Sequence, residues 1–374
     1  MWLKERLSLK LVETRLKKVR ELLKEKDLDA LLITGRANVF YLSLFKSTNA
    51  CILLTREDNY LLTDARYIDR AKYLEPLLRI KLVRESLTKE LKGLFEELRL
   101  EIIGYEKDEV TCEFLEALKE KGREFVGVSK ILVPLRIVKD EFELELIKEA
   151  VRLTDEVFKK GVSFIKEKIS AGESISELSL RGYLVYQMFN LGAEGESFPS
   201  IVASGRASAI PHWETSDSQI EINAPLLIDM GLVWKGYSSD FTRMLYIGKP
   251  DKEFLRYYEL VKEAWFVAFE RVKVGVPVAF IDSAVREYFK KKGVDRFFVH
   301  ATGHGIGIEI HEEPRVSYRV PKDVLIEEGM VFTIEPGLYF KENFGIRLEN
   351  VVFVEGGVGK VFSSIPLELE VVEV

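Results

Sequence analysis

The sequence predicts an α+β protein of two domains: an α/β domain over residues 1–132, and a larger α+β domain over 133–374 built from an internally duplicated unit. Three observations carry this. A chain of 374 residues is longer than a typical single domain. Its first third alternates helical and strand patterns, whereas from about residue 140 two helices and a strand set occur in order, twice. Between these regions stands Val133-Pro134, and proline and the residue before it resist helix.

The elements follow in order. Val12, Leu16, Val19, Leu22 and Leu23 have helical spacing, and Asp29 to Thr34 (DALLIT) reads as a buried strand. Further strands are expected at Ala50–Thr55, Tyr60–Thr63, Ile80–Val83 and Glu101–Tyr105, with helices around Leu87–Leu98 and Glu109–Lys121. Neither GxGxxG nor a P-loop occurs in this part, so a nucleotide site has no support. The domain reads as a cover or oligomerisation element.

Beyond the boundary, Asp140 and Glu141 open a helix, acidic at its start as the helix dipole prefers. Its buried stripe is Leu144, Ile147, Val151, Thr154 and Phe158. A second helix follows Gly172, with Ser174 as its N-cap. Strands are expected at Ser200–Ala203, Leu226–Val233 and Thr242–Ile247. The order then repeats, with helices near Asp251–Lys273 and Ile281–Lys292 and strands at Gly307–His311, Met330–Glu335 and Arg347–Val354.

Composition narrows the chemistry. The chain has 55 basic and 61 acidic residues, four histidines and two cysteines. Cys51 and Cys112 form no CxxC pair, which excludes a cysteine zinc site and a disulfide scaffold and suits a cytoplasmic protein. Met1 to Lys10, charged at Lys4, Glu5 and Arg6, has no apolar run of signal-peptide length. No segment approaches the roughly 20 apolar residues of a membrane helix. Residues 1–132 balance at +3 and 133–374 at −9, and neither part carries a basic patch for nucleic acid. All four histidines, His212, His300, His304 and His311, fall in the second part.

In LLIDMGLVWKGYSSDFTRMLYIG, Asp229 sits inside an apolar strand, where an unpaired carboxylate is costly. A turn near Lys235-Gly236 brings Asp240 roughly opposite, and two like charges across a ladder repel. Either Arg243 or Lys235 neutralises them, or a cation lies between. A second hairpin, FTIEPGLYFKENFGIRLENVVFV, turns at Lys341–Asn343 and carries Glu335 and Glu349. Two inward acidic pairs in matching places of a repeated unit suggest four carboxylates converging on metal.

HATGHGIGIEIHEEP sets three histidines among Gly303, Gly305 and Gly307, where glycines leave room for a ligand. His304 is the natural nitrogen ligand. Two Asp, two Glu and one His are mostly hard oxygen donors, which suits a dinuclear site for Mn²⁺, Co²⁺, Fe²⁺ or Zn²⁺ more than a structural zinc site. Two such ions about 3.5–4 Å apart clamp and acidify a water, so the implied reaction is hydrolysis.

The ordered motifs IDMG, SSDFTR, HATGHGIGIEIHE, FTIEPG and GIRLENVV resemble those of the pita-bread metallopeptidase family, which includes methionine aminopeptidase, aminopeptidase P and prolidase. Residues 1–132 resemble, less sharply, the N-terminal domain of prolidases, aminopeptidases P and creatinase. The resemblance implies the pita-bread fold with a pseudo-twofold repeat, and roles for individual residues. Asp229 chelates one metal, Asp240 and Glu349 bridge both, and His304 and Glu335 hold the second. Glu335 is also the general base on the bridging water. His311 hydrogen-bonds the scissile carbonyl or its tetrahedral intermediate, His212 is the substrate-site histidine, and His300 stands behind the ligands as a possible proton shuttle. Arg347, Thr242 and Thr333 support the ligands, and Tyr237 lines the pocket or simply packs.

Retention of every ligand type argues against a metal-free creatinase-like enzyme, and the N-terminal domain against methionine aminopeptidase. The resemblance then implies an Xaa-Pro aminopeptidase or dipeptidase, loaded with Mn or Co (alternatively Zn or Fe), homodimeric, and acting on peptides with proline second. Arg315, four residues after His311, matches an arginine that grips a dipeptide carboxylate in prolidases. The competing readings are a non-catalytic peptide-binding module of the same fold and a dinuclear hydrolase of another small amide.

Overall fold

The structure, a computed structural model, describes the backbone of residues 2–374 and the side chains from residue 9 onward. The charges at Lys4, Glu5 and Arg6 lie outside the described side chains. The chain divides into two compact units, Met1–Arg136 and Ile137–Val374. The division falls after Arg136 rather than before Val133, because Val133–Arg136 winds into a helical turn and Arg136 donates to Asn38 Oδ1 at 2.7 Å. Pro134 is tolerated there because the first turn of a helix needs no amide hydrogen from it.

In the first unit the order is α1 (Trp2–Glu25), β1 (Ala30–Ile33), α2 (Arg36–Ser43), β2 (Ala50–Thr55), β3 (Asn59–Thr63), α3 (Ile68–Ala71), β4 (Arg79–Leu82), α4 (Leu87–Glu97), β5 (Ile102–Glu106), α5 (Cys112–Leu118), β6 (Glu124–Val128) and the turn α6 (Val133–Arg136). The strands form one mixed sheet, ordered β4-β3-β2-β1-β5-β6. β1 pairs antiparallel with β2 and parallel with β5. Leu32, Leu53, Leu62 and Ile103 of the sheet pack with Leu91, Leu94 and Phe95 of α4. The pattern did not signal α2, or β6, whose residues are only half-buried or exposed.

In the second unit, α7 (Glu141–Ser170) opens on a capping box between Asp140 and Glu143. α8 (Glu177–Asn190) is capped by Ser176, not Ser174: the Ser176 hydroxyl accepts from Ser179 N at 3.1 Å. Then come β7 (Gly195–Glu196), β8 (Ile201–Ser204), β9 (Ala224–Met230), β10 (Leu232–Trp234), β11 (Tyr237–Ser238) and β12 (Phe241–Ile247). A second helix pair follows, α9 (Lys252–Phe269) and α10 (Ala279–Lys291). The remaining strands are β13 (Gly303–Gly305), β14 (Glu312–Val316), β15 (Val331–Ile334), β16 (Gly337–Phe340), β17 (Phe344–Arg347), β18 (Asn350–Glu355), β19 (Val358–Val361) and β20 (Glu370–Val372).

Both halves contain the same device, a hairpin broken in the middle of each arm. The first runs β9, break, β10, a turn at Lys235-Gly236 with both residues at positive φ, β11, break, β12. The second runs β15, break at Glu335-Pro336, β16, turn, β17, break at Leu348-Glu349, β18. The expected continuous strand from Arg347 to Val354 is therefore two strands. Gly231 makes the first break possible, since a Cβ there would stand 2.0 Å from the Ser239 carbonyl oxygen. β9 is buried on both faces: Leu226 and Ile228 meet the α7–α8 cluster, whereas Leu227 meets the α9–α10 cluster. The strand expected at Gly307–His311 is instead a loop between β13 and β14, where Gly307 O accepts from Ser238 N.

Candidate metal centre

The breaks place the acidic residues. Asp229 is the penultimate residue of β9, while Asp240, Glu335 and Glu349 all lie in the breaks between strand segments. Freed from the ladder, such residues can turn inward together. The residue opposite Asp229 is Thr242, not Asp240, so the two aspartates are offset along the hairpin. The two hairpins are joined here: Glu349 N donates to Thr242 O, and the Thr242 hydroxyl donates to Glu349 Oε2 at 2.7 Å.

β13 brings in His304. Its Nδ1 hydrogen-bonds Gly305 O at 3.0 Å, which leaves Nε2 facing the carboxylates. That nitrogen stands 3.5 Å from Asp240 Oδ2 and 3.6 Å from Glu335 Oε1. Donor atoms of Asp240, His304 and Glu349 all lie within 4.8 Å of one another. Thr333 Oγ1 accepts from His304 N at 3.1 Å and donates to Glu335 Oε1 at 3.3 Å, so one hydroxyl orients two of the five. Gly303 allows this approach, since a Cβ would lie 1.9 Å from Thr333 O.

The counter-cation at Asp229 is Arg347, whose Nη2 donates to Asp229 Oδ2. It is neither Arg243 nor Lys235. Arg243 gives its hydrogens to the carbonyls of Thr242, Glu349, Ile365 and Pro366 and to Asn350 Oδ1. Lys235 lies over the Trp234 ring. Arg347 also donates to Thr242 Oγ1 at 3.2 Å and to the Tyr339 hydroxyl at 2.8 Å, and it is 3% exposed. Arg347 is thus a buried side chain between Asp229, Thr242 and Tyr339.

Electrostatics mark the same place. Burial raises the carboxyl pKa of Asp240 to about 6, with the charge of Asp229 adding to it. Burial, and the charges of Asp240, Glu335 and Asp229, push Glu349 well above the usual carboxylate range. Burial also raises Asp229 against the pull of Arg347. Burial opposes charging of His304, but Asp240 and Glu335 outweigh it and hold the ring near 9. Asp229 Oδ1 is buried without a hydrogen-bond partner among the described residues. A buried unpaired carboxylate oxygen costs on the order of 1–3 kcal/mol or more, and a cation is the species that satisfies it. The residues therefore fit a divalent metal site, with oxygen donors and one imidazole.

The other expected residues distribute around this centre. The His311 ring meets His304 edge-on at 4.3 Å, and burial together with the His304 charge keeps it below the usual histidine pKa. Exposed His212 acts electrostatically on both His300 and His311, and the carbonyl of its neighbour Pro211 accepts from Arg347. His300 bonds Ala301 O through Nδ1 and the Tyr339 hydroxyl through Nε2 at 2.8 Å. Exposed Arg315 lies on β14, and its charge reaches His311. Tyr237 is buried, and its hydroxyl donates to Glu143 Oε1 at 3.1 Å. Tyr339, which links His300 to Arg347, was missed: a tyrosine within GLYF reads as packing, and nothing local reveals its partners.

Comparison with known proteins agrees with this architecture. Residues 145–356 match Metallopeptidase family M24, and residues 15–138 match the Creatinase/Prolidase N-terminal domain. The chain is 32% identical over 367 residues to an Xaa-Pro dipeptidase of Pyrococcus furiosus, covering 96% of this chain and 100% of that one. Among solved structures, an Xaa-Pro dipeptidase from Bacillus anthracis superposes with TM-score 0.91 at 31% identity, covering 96% and 99% of the two chains. An X-Pro aminopeptidase from Thermotoga maritima superposes with TM-score 0.84 at 33% identity, covering 92% and 98%.

Proposed function

The chain belongs to metallopeptidase family M24, and from that premise we propose that it is a dinuclear-metal peptidase hydrolysing the bond between an N-terminal residue and proline. The observation that carries the reading is the convergence of Asp240, His304 and Glu349 donor atoms beside a buried, unpartnered Asp229 oxygen. Similar chains are named both dipeptidase and aminopeptidase, so both substrate lengths belong to the proposal.

In this reading Asp229, Asp240, His304, Glu335 and Glu349 would hold two divalent ions, Asp229 serving one position, His304 and Glu335 the other, and Asp240 and Glu349 both. Divalent cations held there supply Lewis acidity toward a water and a peptide carbonyl. The protein supplies the rest. Glu335, oriented by Thr333, takes the proton of the attacking water and delivers it to the departing proline nitrogen. Neutral His311 donates to the carbonyl oxygen as negative charge builds on it, and His212 holds the substrate beside it. Arg347, bonded to Tyr339 and Thr242, keeps Asp229 and Glu349 in place. Arg315 is the available partner for the carboxylate of a dipeptide.

The test is to load the protein with Mn²⁺ or Co²⁺ and offer Gly-Pro and Gly-Pro-Xaa peptides. Cleavage before proline is expected. No cleavage of either peptide across several metals would overturn the reading.

A further inference from the structure

Two residues outside every motif, Asp282 and Arg286, bond to the chain that leads into the centre. Asp282 of α10 is fully buried. Its Oδ1 accepts from the Thr302 hydroxyl at 2.7 Å, and its Oδ2 accepts from Arg286 Nε at 2.9 Å and from Tyr318 N at 2.8 Å. Arg286, one helical turn along, donates through Nη2 to His300 O at 2.6 Å. Its guanidinium lies 4.7 Å from the Phe298 ring centroid and 4.9 Å from that of Tyr318. The pair therefore ties together two strands of chain: residues 298–302, which lead into His304, and residues 316–318, which follow the segment carrying His311 and Arg315.

The tie reaches the centre by one further bond. Thr302 O accepts from Glu335 N at 2.8 Å, and Thr302 N donates to Val316 O. Fixing Thr302 thus sets the entry to β13, with His304 two residues on, and the backbone of Glu335. A buried carboxylate with three donors and a guanidinium between two rings form a rigid anchor, because each hydrogen bond constrains the others.

We propose that Asp282 and Arg286 are positioning residues of the metal centre: from α10 they hold His304 and Glu335 at the separation that binds the metal. The inference rests on the proposed metallopeptidase reading. Neither residue touches the ligands' donor atoms, so the effect runs through Thr302 and the His300 carbonyl.

Three variants test it. D282N turns one acceptor oxygen into a donor facing other donors. R286K keeps the charge, but a single ammonium lacks the planar fork that bonds Asp282 and His300 O while contacting both rings. T302V removes only the hydroxyl link, and it serves if D282N does not fold. The readouts are the visible absorption of the Co²⁺-loaded protein, which reports ligand geometry, and the separate effects on kcat and KM for Gly-Pro. The expected result is an altered Co²⁺ spectrum, with kcat down about tenfold or more and KM little changed. Folded variants with the wild-type Co²⁺ spectrum would overturn the proposal, whatever their activity. Wild-type protein that binds Co²⁺ but cleaves neither peptide would overturn only the peptidase reading, and the variant spectra would still decide the anchor. Wild-type protein that binds no Co²⁺ would overturn both.

Discussion

Thr242 and Glu349 stand 107 residues apart in the chain, yet the Thr242 hydroxyl donates to Glu349 Oε2 at 2.7 Å. The Thr242 Oγ1 in turn accepts from Arg347 Nε, and Arg347 holds Asp229 through Nη2. One hydroxyl thus stands between the two broken hairpins and orients carboxylates from both.

Replacing Thr242 with valine keeps the shape and removes the hydroxyl. Metal affinity is expected to fall about 10- to 100-fold, the usual cost of losing a group that orients a ligand. Calorimetric titration with Mn²⁺ would measure it, and Thr242→Ser should keep most of the affinity.

Arg347 is the only cation hydrogen-bonded to Asp229 among the described residues, and both side chains are buried. Arg347→Met leaves that carboxylate unpaired, which is expected to destabilise the metal-free protein by about 3–5 kcal/mol. Urea unfolding would measure this. The double variant with Asp229→Asn should recover part of the loss.

Glu349→Gln should abolish occupancy of one metal position and stabilise the metal-free protein, because one carboxylate leaves a crowded buried cluster. Metal analysis and thermal melting in chelator would read the two effects. Unchanged stoichiometry would refute the bridging role.

Stability should depend on pH in opposite directions with and without metal. In the metal-free protein the folded-state pKa of Asp240 is raised to about 6 and that of His304 to about 9. A group raised in the folded state binds its proton more tightly there. Its contribution is present at low pH and is lost as pH rises through the raised value. Melting temperature in chelator should therefore fall through pH 6 and again toward pH 9. Metal-loaded protein should gain stability as pH rises toward 6, because cations then displace fewer protons.

Exposed Arg315 beside His311 predicts a difference between substrates. Arg315→Ala should raise KM for Gly-Pro, whose carboxylate follows proline directly, far more than for a longer Gly-Pro-Xaa peptide. Equal effects on both would remove the carboxylate role.

By itself the sequence determined the elements whose signal is local. Helical spacing marked α1, α4 and α7, apolar runs marked β1, β2 and β9, and Lys235-Gly236 marked a turn that the structure builds at positive φ. It also marked the acidic pairs and the histidine cluster, because charged groups inside apolar strands need a partner. Tertiary structure decided which partner. The register set Thr242 rather than Asp240 opposite Asp229, and Arg347 rather than Arg243 or Lys235 became the counter-cation. Tyr339 and the Asp282–Arg286 pair acquired their places only when distant segments met. The physical reason is range. Periodicity and turn chemistry act over a few residues and are written locally, whereas a buried hydrogen bond joins groups a hundred residues apart. Its partners are chosen by which side chains the packed strands and helices bring within about 3 Å.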